Sequence, residues 1–214
     1  FAMQLASSVQ QTILNKTVAA YGGDIALSAV GILMSVITLL FMPILGISQG
    51  AQPIIGFNYG ARRYDRVKET FKKAVTAASA VSAAGCLVIQ LWPASIAALF
   101  SKGDTALTQL TSQAMTVFFG FVFVIGFQIV GSHYFQAVGK ARQAAVLSLS
   151  RQVLLFIPLL LLLPRFWGIN GVWRAAPVAD VLSVIITALF VFYEMKYLPA
   201  MELGQYSLVE KTEP

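Results

Sequence analysis

The sequence predicts an all-α membrane protein folded as a bundle of six membrane-spanning helices. Hydrophobic residues make up 57% of the 214 residues and charged residues 11%, whereas a soluble domain carries about 25% charged residues. The apolar residues fall into long runs, each near the roughly 20 residues that a helix needs to cross a bilayer. Lys and Arg residues gather between alternate runs, as is typical of cytoplasmic loops.

The candidate spans follow one another with short polar turns between them. The first span is the least apolar, and the second is long enough to cross with tilt. The spans cover residues 1–20, 25–57, 74–99, 107–138, 144–163 and 171–192. Together they form a lobe over residues 1–193, and the mixed, charged residues 194–214 are expected to form a weakly ordered cytoplasmic tail.

The second span leads into the stretch around which the chain is organised, residues 42–74. Its prolines are expected to break the helix, because proline removes a backbone hydrogen bond. The polar residues near its end either satisfy backbone groups that the break frees or act in gating, and the sequence leaves both open. The candidate gate or hinge residues are Pro43, Gln49, Gln52, Pro53 and Asn58.

The charge pattern predicts the orientation of the spans. Ten of the fifteen Lys and Arg residues lie in loops or the tail on one side of the predicted bundle, and the loops on the other side hold Lys102 and Arg165. The cation-rich side holds Arg62, Arg63, Arg66, Lys68, Lys72, Lys73, Lys140, Arg142, Lys196 and Lys211. We therefore expect a multi-pass plasma-membrane protein with both chain ends cytoplasmic, in contact with anionic lipid. Binding of nucleic acid is not expected.

Small residues in the third and fourth spans predict close helix packing. In lipid, small side chains let two helix backbones approach closely. The fourth span carries Gly120, Gly126 and Gly131. The third carries Ala77, Ser79, Ala80, Ser82, Ala83, Ala84 and Gly85.

Polar residues inside the first span are candidates for a cavity wall, because polar groups in lipid are costly and face a cavity or one another. Gln4, Gln11 and Asn15 recur at spacings of seven and four residues, which places them on one helix face. We interpret this face as a wet interior surface. Ordinary hydrogen bonding between helices is the alternative.

The fourth span carries a second polar group, Gln128, Ser132 and His133, at or near helical spacing. His133 is the single His of the chain, and His changes its charge near physiological pH. A role in proton coupling and a role as a hydrogen-bonded packing residue both remain open from the sequence.

The fifth and sixth spans place charges inside the predicted bilayer. Asp180 is the one acidic residue well inside a predicted span, and Arg151 lies in the span before it. The carboxylate either pairs with Arg151 or binds a proton or a cation.

Enzymatic chemistry is not predicted. The sequence has no Cys/His cluster, no His–Glu pair at helical spacing and no P-loop. One His, one Cys and one acid inside the spans do not build a common hydrolytic site. We expect neither a metal site nor a cofactor.

Residues 46–61, GISQGAQPIIGFNYGA, resemble the signature G-xx-QG-xQP-xx-G-xNYGA of the MATE (multidrug and toxic compound extrusion) efflux transporters. The signature ends the eighth of that family's twelve spans. Residues 135–140 resemble the end of the tenth span. Residues 168–173 and 177–180 resemble the start of the twelfth.

The resemblance implies that the chain is the C-terminal lobe of a twelve-helix, two-lobed transporter and forms half of a central cavity. It implies a secondary active antiporter that exports organic cations or drugs while Na⁺ or H⁺ enters. The N-terminal lobe of the same protein would be its partner. Some members carry coupling carboxylates in spans seven and ten, where this chain has Gln4, Gln11, Asn15, Gln128 and His133. This lobe is therefore expected to supply cavity wall and gate.

Three alternatives stay open to different degrees. A lipid-linked or polysaccharide flippase of the same superfamily would need a more cationic cavity, for which Arg151 and Arg174 are available. A structural or regulatory membrane subunit is a second alternative. A membrane-embedded lipid enzyme would need paired acids or a metal cluster, which the sequence lacks.

Overall fold

The computed structural model describes the backbone of residues 2–209 and the side chains of residues 5–198. The helices are α1 (Ala2–Gly60), α2 (Tyr64–Leu91), α3 (Pro93–Phe100), α4 (Thr105–Phe118), α5 (Ile125–Ala137), α6 (Ala141–Leu149), α7 (Phe156–Trp167) and α8 (Ile169–Val209). A 3₁₀ turn, Val122–Val124, precedes α5, and a π-helical turn, Ser150–Leu155, joins α6 to α7. No strand occurs over this part of the chain, so the prediction of an all-α fold is confirmed.

The longest helix, α1, contains a break that divides it into two limbs. Its 59 residues would extend for about 90 Å as a straight helix, far more than the roughly 30 Å hydrocarbon core of a bilayer. Gly23 has non-helical dihedral angles (φ 65°, ψ −162°), a conformation that glycine adopts readily because it lacks a Cβ atom. The limbs are residues 2–22 and 24–60.

Six apolar segments result when the two limbs of α1 are counted separately. By length and hydropathy, α1, α2, the continuous α6–α7 stretch and α8 each qualify as membrane spans. α4 and α5 qualify together as one span bent by 48°. The structure thus agrees with the predicted class of a six-helix membrane bundle.

The cationic stretch is mostly helical, contrary to the expectation of a loop. Residues 61–63 leave the helix, and α2 begins at Tyr64. Tyr64, Val67 and Phe71 are buried, so that this first part of α2 has an apolar face and carries its charges on the other face. The third predicted span also ends earlier than expected, at Leu91, because Pro93 begins the separate helix α3 and disfavours helical geometry in the residue before it.

The expected breaks at Pro43 and Pro53 are wrong. Both prolines lie inside α1, and Gly23 is the described position where α1 leaves helical geometry. Both prolines are also exposed on the bundle surface. A transmembrane helix tolerates proline where neighbouring groups satisfy the freed carbonyl. A hinge role for either proline stays a prediction.

The ends of α1 and α5 and the Glu194 region of α8 lie together at one end of the bundle. The Gln52 Nε2 amide donates to Gln136 Oε1 at 3.4 Å. The Lys140 ammonium contacts both carboxylate oxygens of Glu194 at 2.6 Å, and Glu194 is buried. α8 continues through Val209, so the predicted boundary at residue 193 is not a helix end. Most of the cationic residues of the described chain lie towards this end, in its turns and in the adjoining parts of α2, α6 and α8.

The central helix is α5, which packs against α1, α2, α6 and α8. Most of its residues are buried. A Cβ atom at Gly126 would lie 2.5 Å from the carbonyl oxygen of Ala78 in α2, and one at Gly131 would lie 2.5 Å from Cγ2 of Thr187 in α8. The prediction that these two glycines serve close packing is therefore confirmed.

The small residues of α2 contribute to this packing through one row. Ala74, Ala78 and Ser82 are buried at spacings of four residues, which is one face of the helix. Ala77 and Ala80, which were predicted to pack together with Ser82, are exposed. A run of small residues therefore identifies the helix that packs closely but not which of its faces does so.

We expect the substitution Gly126→Ala to destabilise the bundle by about 1–3 kcal/mol, because the new methyl group forces α5 away from the α2 backbone. The measurement is the thermal unfolding of the detergent-solubilised protein. The matched control is Gly31→Ala in α1, where a Cβ atom meets nothing within 4 Å. Equal melting temperatures for the two variants would contradict the close contact.

Candidate functional site

Two recesses open into the interior of the bundle and adjoin at Phe41, Arg151 and Gln152. We call them the Asp180 recess and the His133 recess. The Asp180 recess, of about 160 Å³, has a polar side of Gln10, Gln11, Arg151, Gln152 and Asp180 and an aromatic side of Phe41, Phe118, Phe119 and Phe156. The His133 recess, of about 300 Å³, is lined by Gln128, Ser132, His133 and Ser148 in addition to the shared residues.

An ion pair between α8 and the π-helical turn lies between the recesses. The Nε–H group of Arg151 donates to Asp180 Oδ1 at 2.8 Å. The Asp180 side chain is 7% exposed and that of Arg151 is 22% exposed. Since an unpaired carboxylate is costly inside an apolar bundle, Asp180 requires this partner. Of the two alternatives that the sequence left open, the structure contains the pair.

The π-helical turn sets the position of Arg151. The backbone N–H of Phe156 donates to the carbonyl of Arg151, five residues earlier. This wider turn departs from the α-helical pattern, a feature frequent at functional sites. The guanidinium Cζ atom lies 5.7 Å from the centroid of the Phe41 ring. Within the described residues, its two Nη groups donate no hydrogen bond, so their N–H groups remain available at the recesses.

The His133 recess presents groups from α5 and α6. The Nδ1 atom of His133 lies 2.9 Å from the carbonyl oxygen of Ile129. A carbonyl accepts but does not donate, so Nδ1 carries the proton of the neutral ring and Nε2 is left as an acceptor. Ser132 and Ser148 share a hydrogen bond of 2.8 Å. Gln128 is buried, with 4% of its surface exposed, and yet its side-chain amide forms no hydrogen bond within the described part of the chain.

Of the polar face predicted for the first span, one described residue lines a recess. Gln11 lines the Asp180 recess, and its Nε2 donates to Asn15 Oδ1 at 3.1 Å. Asn15 does not line either recess, because it lies one helical turn further towards the break at Gly23. The side chain of Gln4 lies outside the described residues. The residues predicted from the fourth span, by contrast, all line the His133 recess.

The sequence did not single out three lining residues, Phe41, Ser148 and Gln152. Gln10, which also lines the Asp180 recess, lies beside the polar face predicted for the first span but was not among the cavity candidates. Gln152 accepts a hydrogen bond from the Ser7 hydroxyl at 3.2 Å, which links the π-helical turn to the first limb of α1. The signal available in the sequence was the cluster of Ser148, Ser150 and Gln152 around Arg151, four polar residues in an otherwise apolar span. Phe41 gave no signal, since one aromatic residue in an apolar run is ordinary.

The candidate gate residues line neither recess. Gln52 and Asn58 lie towards the end of the bundle that carries Lys140 and Glu194, whereas Pro43 lies on α1 between Phe41 and Leu45, which line the His133 recess. Asn58 is buried, and its Nδ2 donates to the backbone carbonyl of Ile54 at 2.8 Å. Gln52 bonds to α5, and Gln49 is exposed. The carbonyl that Pro53 frees is that of Gln49, four residues earlier, so the contact of Asn58 with Ile54 does not decide between the two alternatives.

Metal ligands do not gather at these recesses. Over the described residues, no three His, Cys, Asp or Glu side chains come together in a group that can hold a metal ion. The chemistry offered is hydrogen bonding, one ion pair and aromatic contact, which suits reversible binding of an organic molecule.

Comparisons with known proteins agree on one family. The MatE family model matches residues 1–162. The Multidrug export protein MepA of Staphylococcus haemolyticus (strain JCSC1435) is 24% identical over 210 residues, covering 98% of this chain and 45% of that protein. MepA of Staphylococcus aureus (strain N315) is 21% identical over 192 residues, covering 90% and 42%.

Solved structures show the same fold. A structure of the MATE multidrug transporter DinF-BH aligns with a TM-score of 0.80 and 36% identity over 90% of this chain and 43% of that chain. An outward-facing multidrug resistance MATE family transporter of the MOP superfamily aligns with a TM-score of 0.86 and 20% identity over 93% and 45%. The chain spans about half the length of the relatives that it matches, and its fold is one half of their two-lobed architecture.

We expect Arg151→Met to destabilise the protein by about 3–5 kcal/mol, because it leaves the Asp180 carboxylate buried without a partner. Adding Asp180→Leu should restore most of this loss, since an apolar pair of similar volume removes the buried charge. Melting temperatures of the two variants and the unchanged protein in detergent check this. If the double variant has the same melting temperature as Arg151→Met, the unpaired charge of Asp180 is not the cause of the lost stability.

Proposed function

The chain belongs to the MatE family, and from this premise we propose that it forms one half of a secondary active transporter that exports drugs and organic cations. Na⁺ or H⁺ entering the cell drives the export. The observation that carries the proposal is the pair of adjoining polar and aromatic recesses inside an apolar helix bundle. The relatives named as multidrug export proteins support the substrate class.

The size of the recesses supports a cavity shared between two halves. Their volumes are about 160 and 300 Å³, at or below the lower limit of the roughly 300–1,000 Å³ that encloses a drug-sized ligand. Both recesses are open on one side. An N-terminal half of the same protein, of similar size, would cover them and complete the cavity.

The charges of the recesses suggest that the two halves have different roles in binding the substrate and the coupling ion. The one carboxylate at the recesses, Asp180, is already paired with Arg151. His133 presents a free ring nitrogen, but no acid of the described chain accompanies it in the recess. We infer that this half supplies substrate-binding wall, and that the carboxylates that bind the coupling ion lie in the other half.

The distribution of cations supports an orientation in the plasma membrane. Most of the Lys and Arg residues of the described chain lie towards the end of the bundle that carries the Lys140–Glu194 pair, in its turns and the adjoining helix ends, which favours the cytoplasmic side. Both ends of the chain would then be cytoplasmic.

Transport is tested with the full-length protein in proteoliposomes, by following efflux of ethidium under an imposed Na⁺ gradient and, separately, an imposed pH gradient. We expect efflux under one of them. Gln128→Ala should lower the initial rate about fivefold, the equivalent of one neutral hydrogen bond to the substrate. The matched control is Thr76→Ala. Thr76 is an exposed residue of α2 whose hydroxyl donates to the backbone carbonyl of Lys72 in the same helix. Absence of efflux under both gradients would contradict the antiporter and favour a lipid-linked substrate.

The orientation is tested by cysteine labelling in a variant without native cysteines, including Cys86→Ser. Lys102→Cys, in an exposed turn, and Arg142→Cys, in the exposed first turn of α6, place single thiols at opposite ends of the bundle. A membrane-impermeant maleimide added to whole cells should label Lys102→Cys and spare Arg142→Cys. Inside-out vesicles should give the reverse. The opposite pattern would invert the proposed topology.

A further inference from the structure

We propose that a groove between α5, α6 and α8 binds the headgroup of an anionic phospholipid from the membrane leaflet at that end of the bundle. The groove has a volume of about 440 Å³ and shares no lining residue with the two recesses. We call it the Lys140 groove. Lys140, Gln143 and Glu194 line its polar side, and side chains of α5 and α8, among them Leu189 and Tyr193, line its apolar side.

The ion pair in the Lys140 groove presents its cationic member. The ammonium group of Lys140 donates to both carboxylate oxygens of Glu194 at 2.6 Å. An ammonium group has three N–H donors, so one of them is left for a further acceptor. The Lys140 side chain is 27% exposed and that of Glu194 is 11% exposed. A phosphate that enters the groove therefore meets the ammonium group before the carboxylate.

The residues around the groove add positive charge. Arg142 is exposed in the first turn of α6. Lys196 is exposed three residues after Tyr193, which makes the two neighbours on the surface of α8. Because Glu194 cancels the charge of Lys140, these two further cations leave the surroundings of the groove positive. Basic pockets between membrane helices on the cytoplasmic side bind anionic lipid headgroups.

Two tyrosines place the groove at the depth of the lipid headgroups. Tyr193 and Tyr197 are both exposed, and their ring centroids lie 4.5 Å apart. Exposed tyrosines are enriched where the hydrocarbon core of a bilayer meets the headgroups, because their rings are apolar and their hydroxyls are polar. Tyr193 lines the groove. The ammonium group of Lys140 therefore lies near the level of the phospholipid phosphates.

An apolar track on α8 leads from the groove towards the middle of the bilayer. Val178, Leu182, Ile185 and Leu189 are exposed at spacings of four, three and four residues, which is one face of the helix. The track extends for about 17 Å along the helix, roughly half of the ~30 Å hydrocarbon core. That length matches one leaflet, so an acyl chain can lie along the track while its headgroup occupies the groove.

The track faces away from the candidate substrate cavity. Leu189 follows Asp180 by about two and a half helical turns, so that the two side chains lie on opposite sides of α8. Asp180 lines a recess inside the bundle. A second half of the transporter that covers the recesses therefore leaves the track in contact with lipid. The inference does not depend on which molecule the transporter exports.

Native mass spectrometry of the delipidated, detergent-solubilised full-length protein tests the inference. The measured quantity is the Kd of the first bound lipid, for dioleoyl phosphatidylglycerol and for dioleoyl phosphatidylcholine. The two lipids share their acyl chains and their phosphate, but the choline group cancels the phosphate charge. We expect phosphatidylglycerol to bind about tenfold more tightly, as for one charge-assisted hydrogen bond. Equal Kd values would overturn recognition of the anionic headgroup.

The double variant Lys140→Met/Glu194→Gln removes the ammonium group without changing the net charge of the protein or leaving a buried acid unpaired. We expect the Kd for phosphatidylglycerol to rise about tenfold and the Kd for phosphatidylcholine to stay the same. The matched control is Lys72→Met, since Lys72 is an exposed residue of α2 that does not line the groove. This control lowers the net charge by one and should leave both Kd values unchanged. A greater loss of affinity in the control than in the double variant would refute a specific site.

The single variant Glu194→Gln distinguishes a lipid site from an ion pair that only holds α8 to α6. It removes the carboxylate that competes for the Lys140 ammonium group, so the Kd for phosphatidylglycerol should fall. An unchanged or higher Kd in this variant would overturn the inference, including in the case that the double variant fails to assemble. Lipid binding is measured without transport, so a failure of the proposed export function would leave these results unaffected.

Discussion

The close contact of α5 with α2 and α8 is the constraint on which the recesses depend. Gly126 and Gly131 allow the backbone of α5 to approach both neighbours, and in lipid such contact is a main source of helix association. Gln128, Ser132 and His133 lie between or next to these glycines and line the His133 recess. The glycines therefore do more than pack the bundle, since they hold three polar side chains in its interior.

Departures from regular helix coincide with the recesses. The bend between α4 and α5 supplies Phe118, Phe119 and Val122 to the wall of the Asp180 recess. The π-helical turn supplies Arg151 and Gln152 to both recesses. A regular helix in lipid satisfies all of its backbone groups internally. Irregular backbone is tolerated where it borders a cavity, and here both irregular turns do so.

A paired charge suits a cavity that must both bind and release. The Arg151–Asp180 pair adds no net charge to the bundle interior, yet its exposed side is cationic. Both members also line the Asp180 recess, so removing either changes a wall side chain together with the electrostatic potential. The charge of the recess thus depends on these two residues, whereas its shape depends on the packing of α5. Because each recess is small and open, affinity for any substrate also depends on the half that covers it.

The sequence by itself determined the class of the protein. Length and hydropathy of the apolar runs identify membrane helices because a bilayer demands about 20 apolar residues per crossing, and residues 46–61 carry the family signature. The interior position of the polar residues of the fourth span was also predictable, since polar groups in lipid face the interior.

The tertiary structure decided the arrangement of the recesses, because this arrangement depends on contacts between distant segments. It placed Asn15 outside the recesses, kept α1 helical through Pro43 and Pro53, and brought Phe41 and Gln152 to Arg151. The break at Gly23 falls within the turn predicted between the first two spans. Helical periodicity indicates which side chains share a face, but only packing against other helices determines which face borders a cavity.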